Sequence, residues 1–285
     1  MNGTAVPRPA SIASIALRTA AAAGIGALVI LIALPVAALI RRAPVSSLFG
    51  ALAQPVVRDA LRLSLTTTII ATAVIVVLGL PVAWVLARGR FPAKGALEVL
   101  VQLPMVLPPT VAGLALLLAF GRAGVAGQAL RTLGLELPFT TLAVIVAQVF
   151  MAAPFFITTS AAGFRAVDQR FIDAAAAHRA SPTYTFLRVT LPLALPSVIA
   201  GAAMSWARAL GEFGATITFA GSLQGKTQTM PIAVYLELQS NLDAAIALSV
   251  ILVVVSVVLL VAVRNISSAW DRGALVTARA ASDAR

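Results

Sequence analysis

Cysteine is absent from the 285 residues, and histidine occurs once, as His178. Disulfides, thiolate nucleophiles and Cys-ligated metals are excluded, and a multi-histidine metal site goes with them. Charge is scarce as well. Only 11% of the residues are Asp, Glu, Lys or Arg, against about 25% in ordinary soluble domains. The acidic side is the thinnest, with 10 residues against 21 basic ones. Paired carboxylates placed for acid–base work are not found, so a membrane enzyme is disfavoured. No catalytic residue, metal or cofactor is expected.

What is abundant is apolar: 60% of the chain. A soluble protein of this length could not hide that much apolar surface, whereas a bilayer can accept it. A membrane span needs about 20 apolar residues. Six stretches qualify, at residues 19–40, 63–87, 96–120, 139–164, 193–219 and 243–263. The expectation is an all-α integral membrane protein with about six transmembrane helices. The first stretch follows Arg8 and Arg18, as a signal peptide would. Its apolar run exceeds the roughly 7–15 residues of a signal core, and Arg41-Arg42 follows directly, so an uncleaved span is favoured.

In a soluble chain the basic excess would suggest nucleic acid. Here the Lys and Arg residues sit between apolar runs, which reads as topology and attraction to anionic lipid headgroups. Membrane lipid is the expected partner, and nucleic acid is not. With the N-terminus inside, 13 basic residues fall on the inner side and 7 on the outer, with Arg208 in a span. The bias puts both termini in the cytoplasm. The exception is the first outer loop, whose residues 49–65 look amphipathic and are expected to lie along the interface. The expected organisation is a cytoplasmic segment 1–18, a six-helix transmembrane domain 19–266 and a cytoplasmic tail 267–285.

Residues 221–229 read GSLQGKTQT, close to a phosphate-binding loop. Such a loop needs four residues between its first Gly and the Gly-Lys-Ser/Thr end, after a strand and before a helix. Only three separate Gly221 from Gly225-Lys226-Thr227. The segment also falls on the outer side of the topology, where ATP is not available. A Gly-rich turn is the expected structure.

The long inner loop, 165–192, contains DAAAAHRASPTYTFLRVTLP. Asp173 to His178 is Ala-rich and should be helical. Ser181-Pro182 supplies an N-cap and a Pro at the first helical position. A second short helix is therefore expected over 182–189, stopped by Pro192. The two make a protruding knob whose Tyr184, Phe186 and Leu187 are too apolar for a solvated loop and suit a groove on a partner.

Asp173-Ala174-Ala175, three residues, a turn position, nine residues and Val189-x-Leu191-Pro192 resemble the EAA loop of ABC importer permeases. The resemblance extends to residues 63–88, to QLPMVLPPTVAG (102–113) and to ARALGEFGATITFAGSLQGKTQTMPIAVY (207–235), all similar to permeases for tetrahedral oxyanions. The ALGEFGATITFAG segment is closest to molybdate permeases, with sulfate permeases next. The resemblance implies a type I ABC importer permease fold in the bacterial inner membrane. It also implies two copies of a separate ATPase docked on Asp173, Ala174, Ala175, Arg179, Ser181, Pro182, Leu191 and Pro192. An extracytoplasmic binding protein would deliver the substrate, and two permease chains would pair, as a homodimer in the molybdate type. Arg179 occupies the family's glycine position, which predicts a reshaped turn, because Arg adopts the left-handed conformation less readily than Gly.

Arg208 and Glu212 lie four apart in the fifth span, on one helix face. Charges in a span mark a pathway by default; a self-neutralising packing pair is the other reading. An anion route should avoid a bare carboxylate, so Glu212 is expected to position Arg208 or the backbone. Gly211 and Gly214 flank it and permit a break or a close approach. Pro104, Pro108 and Pro109 interrupt the third span, and Pro108, Pro109 and Thr110 mark either a route or a simple kink. Ser64, Thr66, Thr67, Thr68 and Thr72 could line a polar route or bond back to their own helix. His178 reads as a surface residue. The rival class is a secondary transporter or channel working alone. It would need coupling carboxylates within the spans, and only Glu212 is well inside one.

Overall fold

A computed structural model describes residues 12–43, 50 and 52–283. Residues 1–11, most of the expected N-terminal segment, lie outside the described residues, as do 44–49, 51, 284 and 285. Among the described residues all regular structure is helical. Five helices are long and apolar enough to cross a membrane, and a bent pair makes a sixth candidate span.

Helix α1 (Ile12–Arg42) packs against the last helix, α12 (Leu242–Asp283). Leu28 and Leu31 are among its exposed residues, as suits a lipid-facing span. Helix α2 (Pro55–Arg88) starts with Pro at its first turn. From Pro55 on, the stretch expected to lie along the interface is continuous with this helix. Val57, Ala60 and Ser64 recur at helical spacing and are buried, while Arg58, Asp59 and Arg62 are exposed. The buried face meets Met230 and Ala233 of α11 (Met230–Ser240) and Ala247 and Leu248 of α12.

The third span is not one helix. It divides into α3 (Lys94–Val106) and α4 (Pro109–Phe120), bent by 117°. Pro108 and Pro109 both lack an N–H, so two carbonyls of the preceding turn lose their donors. A proline also drives the residue before it out of the helical region; Leu107 has ψ 133° and Pro108 ψ 135°. A short helix, α5 (Gly127–Thr132), follows.

Helix α6 (Thr141–Ala166) is the centre of the bundle and packs on α2 and α9 (Leu191–Leu210). Phe156 and Phe164 are fully buried there with Ile75, Ala83 and Val198. After α6 come α7 (Gln169–Ala177) and α8 (Pro182–Thr185). Pro192 does not stop the chain as expected. A π turn over Phe186–Thr190 joins α8 to α9 in one helical path. Its wider hydrogen bonding, with Leu191 N donating to Phe186 O, lets the path continue although Pro192 has no N–H. The fifth span then breaks at Gly211 and resumes as α10 (Gly214–Ala220), which packs on α4 and α6. Helix α12 runs on past the expected end at 263.

Candidate functional site

Two regions carry the candidate residues, one at the loop between α6 and α9 and one at the two broken spans.

In the loop, Asp168 caps α7. Its carboxylate accepts from Arg170 N at 2.9 Å and binds the Arg170 side chain at 2.6 Å. The Arg170 side chain, and then its backbone N–H, hold the carboxyl below the ordinary carboxylate value. The cap therefore contributes fully above that ordinary value and is lost only as pH falls through the lowered one. Asp173 sits one turn further on and accepts from Gln169 Nε2 at 3.0 Å. Ala174 is exposed and Ala175 half-buried.

Arg179 has φ 56°, in the left-handed region. Its N–H reaches Ala176 O at 2.9 Å and the Ala180 N–H reaches Ala175 O at 3.0 Å. These two bonds make the Schellman closure of a helix C-terminus. The expectation of a reshaped turn is corrected: the tight turn is kept, with Arg holding a conformation that suits Gly. Such a placement costs an L-residue about 1–2 kcal/mol. Arg179→Gly is therefore expected to stabilise the protein by about 1 kcal/mol, read as a raised thermal midpoint of the purified transporter. A lowered midpoint would show that the Arg179 side chain has a compensating role.

Ser181 Oγ accepts from Tyr184 N at 3.2 Å, and Pro182 opens α8. Phe186 does not belong to the exposed knob. It turns inward, 4.9 Å from Trp84 and 5.9 Å from Phe164 between ring centres. The exposed apolar residues are Phe171 (54%), Tyr184 (57%) and Leu187 (52%). Leu191 packs on the central core and Pro192 is exposed. His178 is exposed at the C-cap of α7.

At the broken spans, Arg208 pairs with Glu212 at 2.6 Å; the Arg side chain is 26% exposed and the Glu 1%. The other carboxylate oxygen of Glu212 accepts from Ala215 N at 2.8 Å. Glu212 thus holds both the cation and the first turn of α10. Pro108, Pro109, Thr110 and Gly211 are exposed, and Gly214 is buried. The structure brings the two breaks together: a Cβ on Gly214 would lie 2.7 Å from Pro109 Cβ. One residue that sequence reasoning missed is Gly113, where a Cβ would lie 2.8 Å from Ala215 O and 2.7 Å from Thr218 Cβ. The first turns of α4 and α10 therefore meet almost backbone to backbone.

The hydroxyls of α2 mostly bond back to it. Thr66 donates to Arg62 O, Thr67 to Leu63 O at 2.8 Å and Thr68 to Ser64 O at 2.7 Å. Ser64 Oγ accepts from Met230 N at 2.7 Å, fastening α11 to α2. Residues 221–229 form a turn with Gly221 at φ 70° and Gly225 at φ 69°. Thr227 Oγ1 accepts from Leu223 N at 2.8 Å inside that turn. The next helix begins only at Met230, so Lys226-Thr227 does not head a helix as a phosphate loop requires. Lys226 faces a pocket of about 420 Å³ with Arg122, Glu136 and Phe139.

The profile of the family described as "Binding-protein-dependent transport system inner membrane component" matches residues 75–272. The chain is 41% identical over 235 residues to the molybdenum transport system permease protein ModB of Mycobacterium tuberculosis, covering 82% of this chain and 89% of that protein. It is 34% identical over 219 residues to the sulfate transport system permease protein CysT of Salmonella typhimurium, covering 76% and 79%. Among solved structures it resembles a chain of a bacterial ABC transporter that imports the acidic polysaccharide alginate. The TM-score there is 0.73 at 16% identity, over 88% of this chain and 94% of that one. At that identity the likeness is one of fold.

Proposed function

We propose, from the premise that this chain belongs to the family of binding-protein-dependent transport system inner membrane components, that it imports molybdate as the permease subunit of an ATP-driven transporter. The substrate assignment rests on similarity to molybdenum permeases. The observation that carries the mechanism is the α7–α8 knob. It is a capped, tightly closed pair of short helices presenting Phe171, Tyr184 and Leu187 outward. Exposed apolar residues on a rigid loop suit a groove on a partner, and in this reading the partner is the ATPase.

Two ATPase copies would dock on two permease chains, paired as a homodimer. In this reading residues 165–192 face the cytoplasm together with segments 1–18 and 267–285, in keeping with the bias of basic residues. ATP binding closes the ATPases and carries the knobs along, so that the permease domains, residues 19–266, rock from inward- to outward-facing. The binding protein then delivers its anion. Arg208, with Gly211 and the Pro108–Thr110 break, supplies the accessible cation and exposed backbone turn expected along an anion route. Glu212, Gly214 and Pro109 hold that break in shape. The chain carries no chemical step, since hydrolysis belongs to the ATPase.

Sulfate is the second reading, favoured by the likeness to CysT. The test is cellular molybdenum, measured by mass spectrometry in cells lacking the chain and grown on trace molybdate, with sulfate uptake followed in parallel. Molybdenum is expected to fall and to return with the gene, while sulfate uptake stays intact. Unchanged molybdenum with lost sulfate uptake would contradict molybdate and assign sulfate.

A further inference from the structure

Arg88 is the last residue of α2, and its guanidinium spans three elements. Nη2 donates to Phe164 O at 2.9 Å and to Val167 O at 2.6 Å, both at the C-terminal end of α6. Nη1 donates to Gln169 Oε1 at 3.0 Å, in the first turn of α7. Gln169 passes the connection on, since its Nε2 donates to Asp173 Oδ1 at 3.0 Å. The charges at each end fix the amide: its oxygen faces the guanidinium and its NH2 faces the carboxylate. The carbonyls at the end of α6 have no helical donor of their own, and a cation is favoured at the negative end of the helix dipole. The result is one line of charge-assisted hydrogen bonds from the membrane helices to the middle of α7.

The geometry points to Arg88 as a positioning residue for coupling: it locks the corner between α6 and α7, so that displacement of the α7–α8 knob moves α2 and α6 as one body. This rests on the reading of the knob as the ATPase dock. The aromatic packing of Phe186 on Trp84 and Phe164 fixes the far side of the loop, at the π turn. The near side, where α6 turns into α7 at Val167 and Asp168, is held by the polar line together with the burial of Val167 beside Leu86 and Phe164. Without Arg88 only the apolar contacts remain, and they fix α7 less rigidly than hydrogen bonds of defined direction do. The knob can then follow the ATPase while the spans lag behind.

The experiment uses the complete transporter, with its ATPase and binding protein, in vesicles. Molybdate imported and ATP hydrolysed are measured together for Arg88→Ala, Arg88→Lys, Gln169→Ala and the Arg88→Ala/Gln169→Ala double variant. Arg88→Ala is expected to lower molybdate imported per ATP about tenfold, the size of effect associated with losing hydrogen bonds to a charged group. Arg88→Lys, which cannot span all three acceptors, should fall between Arg88→Ala and the unaltered protein. The double variant should be no worse than Arg88→Ala, because both changes cut one line. An unchanged ratio would overturn the inference. So would parallel falls in hydrolysis, import and thermal midpoint, or losses that add in the double variant. Leu187→Arg tests the docking reading separately, since it leaves the polar line whole. It is expected to remove the ATPase from the purified complex. A retained ATPase with normal import would sink the docking reading, and this inference with it, whatever the ratio in Arg88→Ala.

Discussion

Arg208→Ala is expected to destabilise the folded protein by about 3 kcal/mol or more, the cost of leaving a buried charge without its partner. Glu212 is 1% exposed and 2.6 Å from Arg208. With the cation removed, its carboxylate keeps one bond, from Ala215 N, and is otherwise enclosed by protein. Glu212→Gln should be much milder, near 1 kcal/mol, the ordinary size for one hydrogen bond exchanged for another. The Gln oxygen can still accept from Ala215 N, and Arg208, at 26% exposure, retains contact with its surroundings. The asymmetry is the diagnostic feature. Thermal unfolding of the purified variants should show a large fall for Arg208→Ala and a small one for Glu212→Gln. Equal effects would mean that the pair is an ordinary surface bridge. Molybdate uptake separates the route from mere packing: if the cation draws the anion, Arg208→Gln should lower uptake more than it lowers stability.

Gly113→Ala is the second large effect. The added methyl would sit 2.8 Å from Ala215 O and 2.9 Å from Ala215 Cα. Both are backbone atoms, so no rotamer change relieves the clash. Helix α4 must slide away from α10, at about 1–3 kcal/mol for overpacking. Because α4 and α10 start at the two breaks, the shift also separates Pro109 from Gly214. Transport should therefore drop more than the thermal midpoint suggests. Gly95, whose added Cβ would meet nothing within 4 Å, is the control, and Gly95→Ala should leave both readings unchanged. Full uptake in Gly113→Ala would show that the two breaks do not need their close contact.

The helical architecture and the number of candidate spans were legible from composition, because the need to bury apolar runs in lipid overrides local detail. The breaks were legible only as places. Pro108-Pro109 marked the third span, but the 117° bend follows from what α4 packs against, and one sequence does not reveal that. The continuation through Pro192 was missed for a related reason. Proline removes one helical bond, and a π turn can absorb the loss when packing holds the helix on both sides. Arg179 shows that a propensity of 1–2 kcal/mol can be overridden by two backbone hydrogen bonds and a closed helix end. In the loop, Phe186 and Leu187 look alike in sequence. Helical spacing sends one towards Trp84 and leaves the other exposed. Arg88 counted only as an inner positive charge. Its three acceptors come from a segment about 80 residues away, beyond any local pattern, and Gly113 gains its meaning only beside α10.

The most direct test of the whole account is molybdate uptake into vesicles holding this chain with its ATPase and binding protein. ATP would be supplied at the ATPase face, with or without a proton ionophore. The account predicts uptake that requires ATP, the ATPase and the binding protein, and that persists with the ionophore present. Uptake by this chain alone, driven by a proton or ion gradient and abolished by the ionophore, would contradict it and make the chain a secondary transporter.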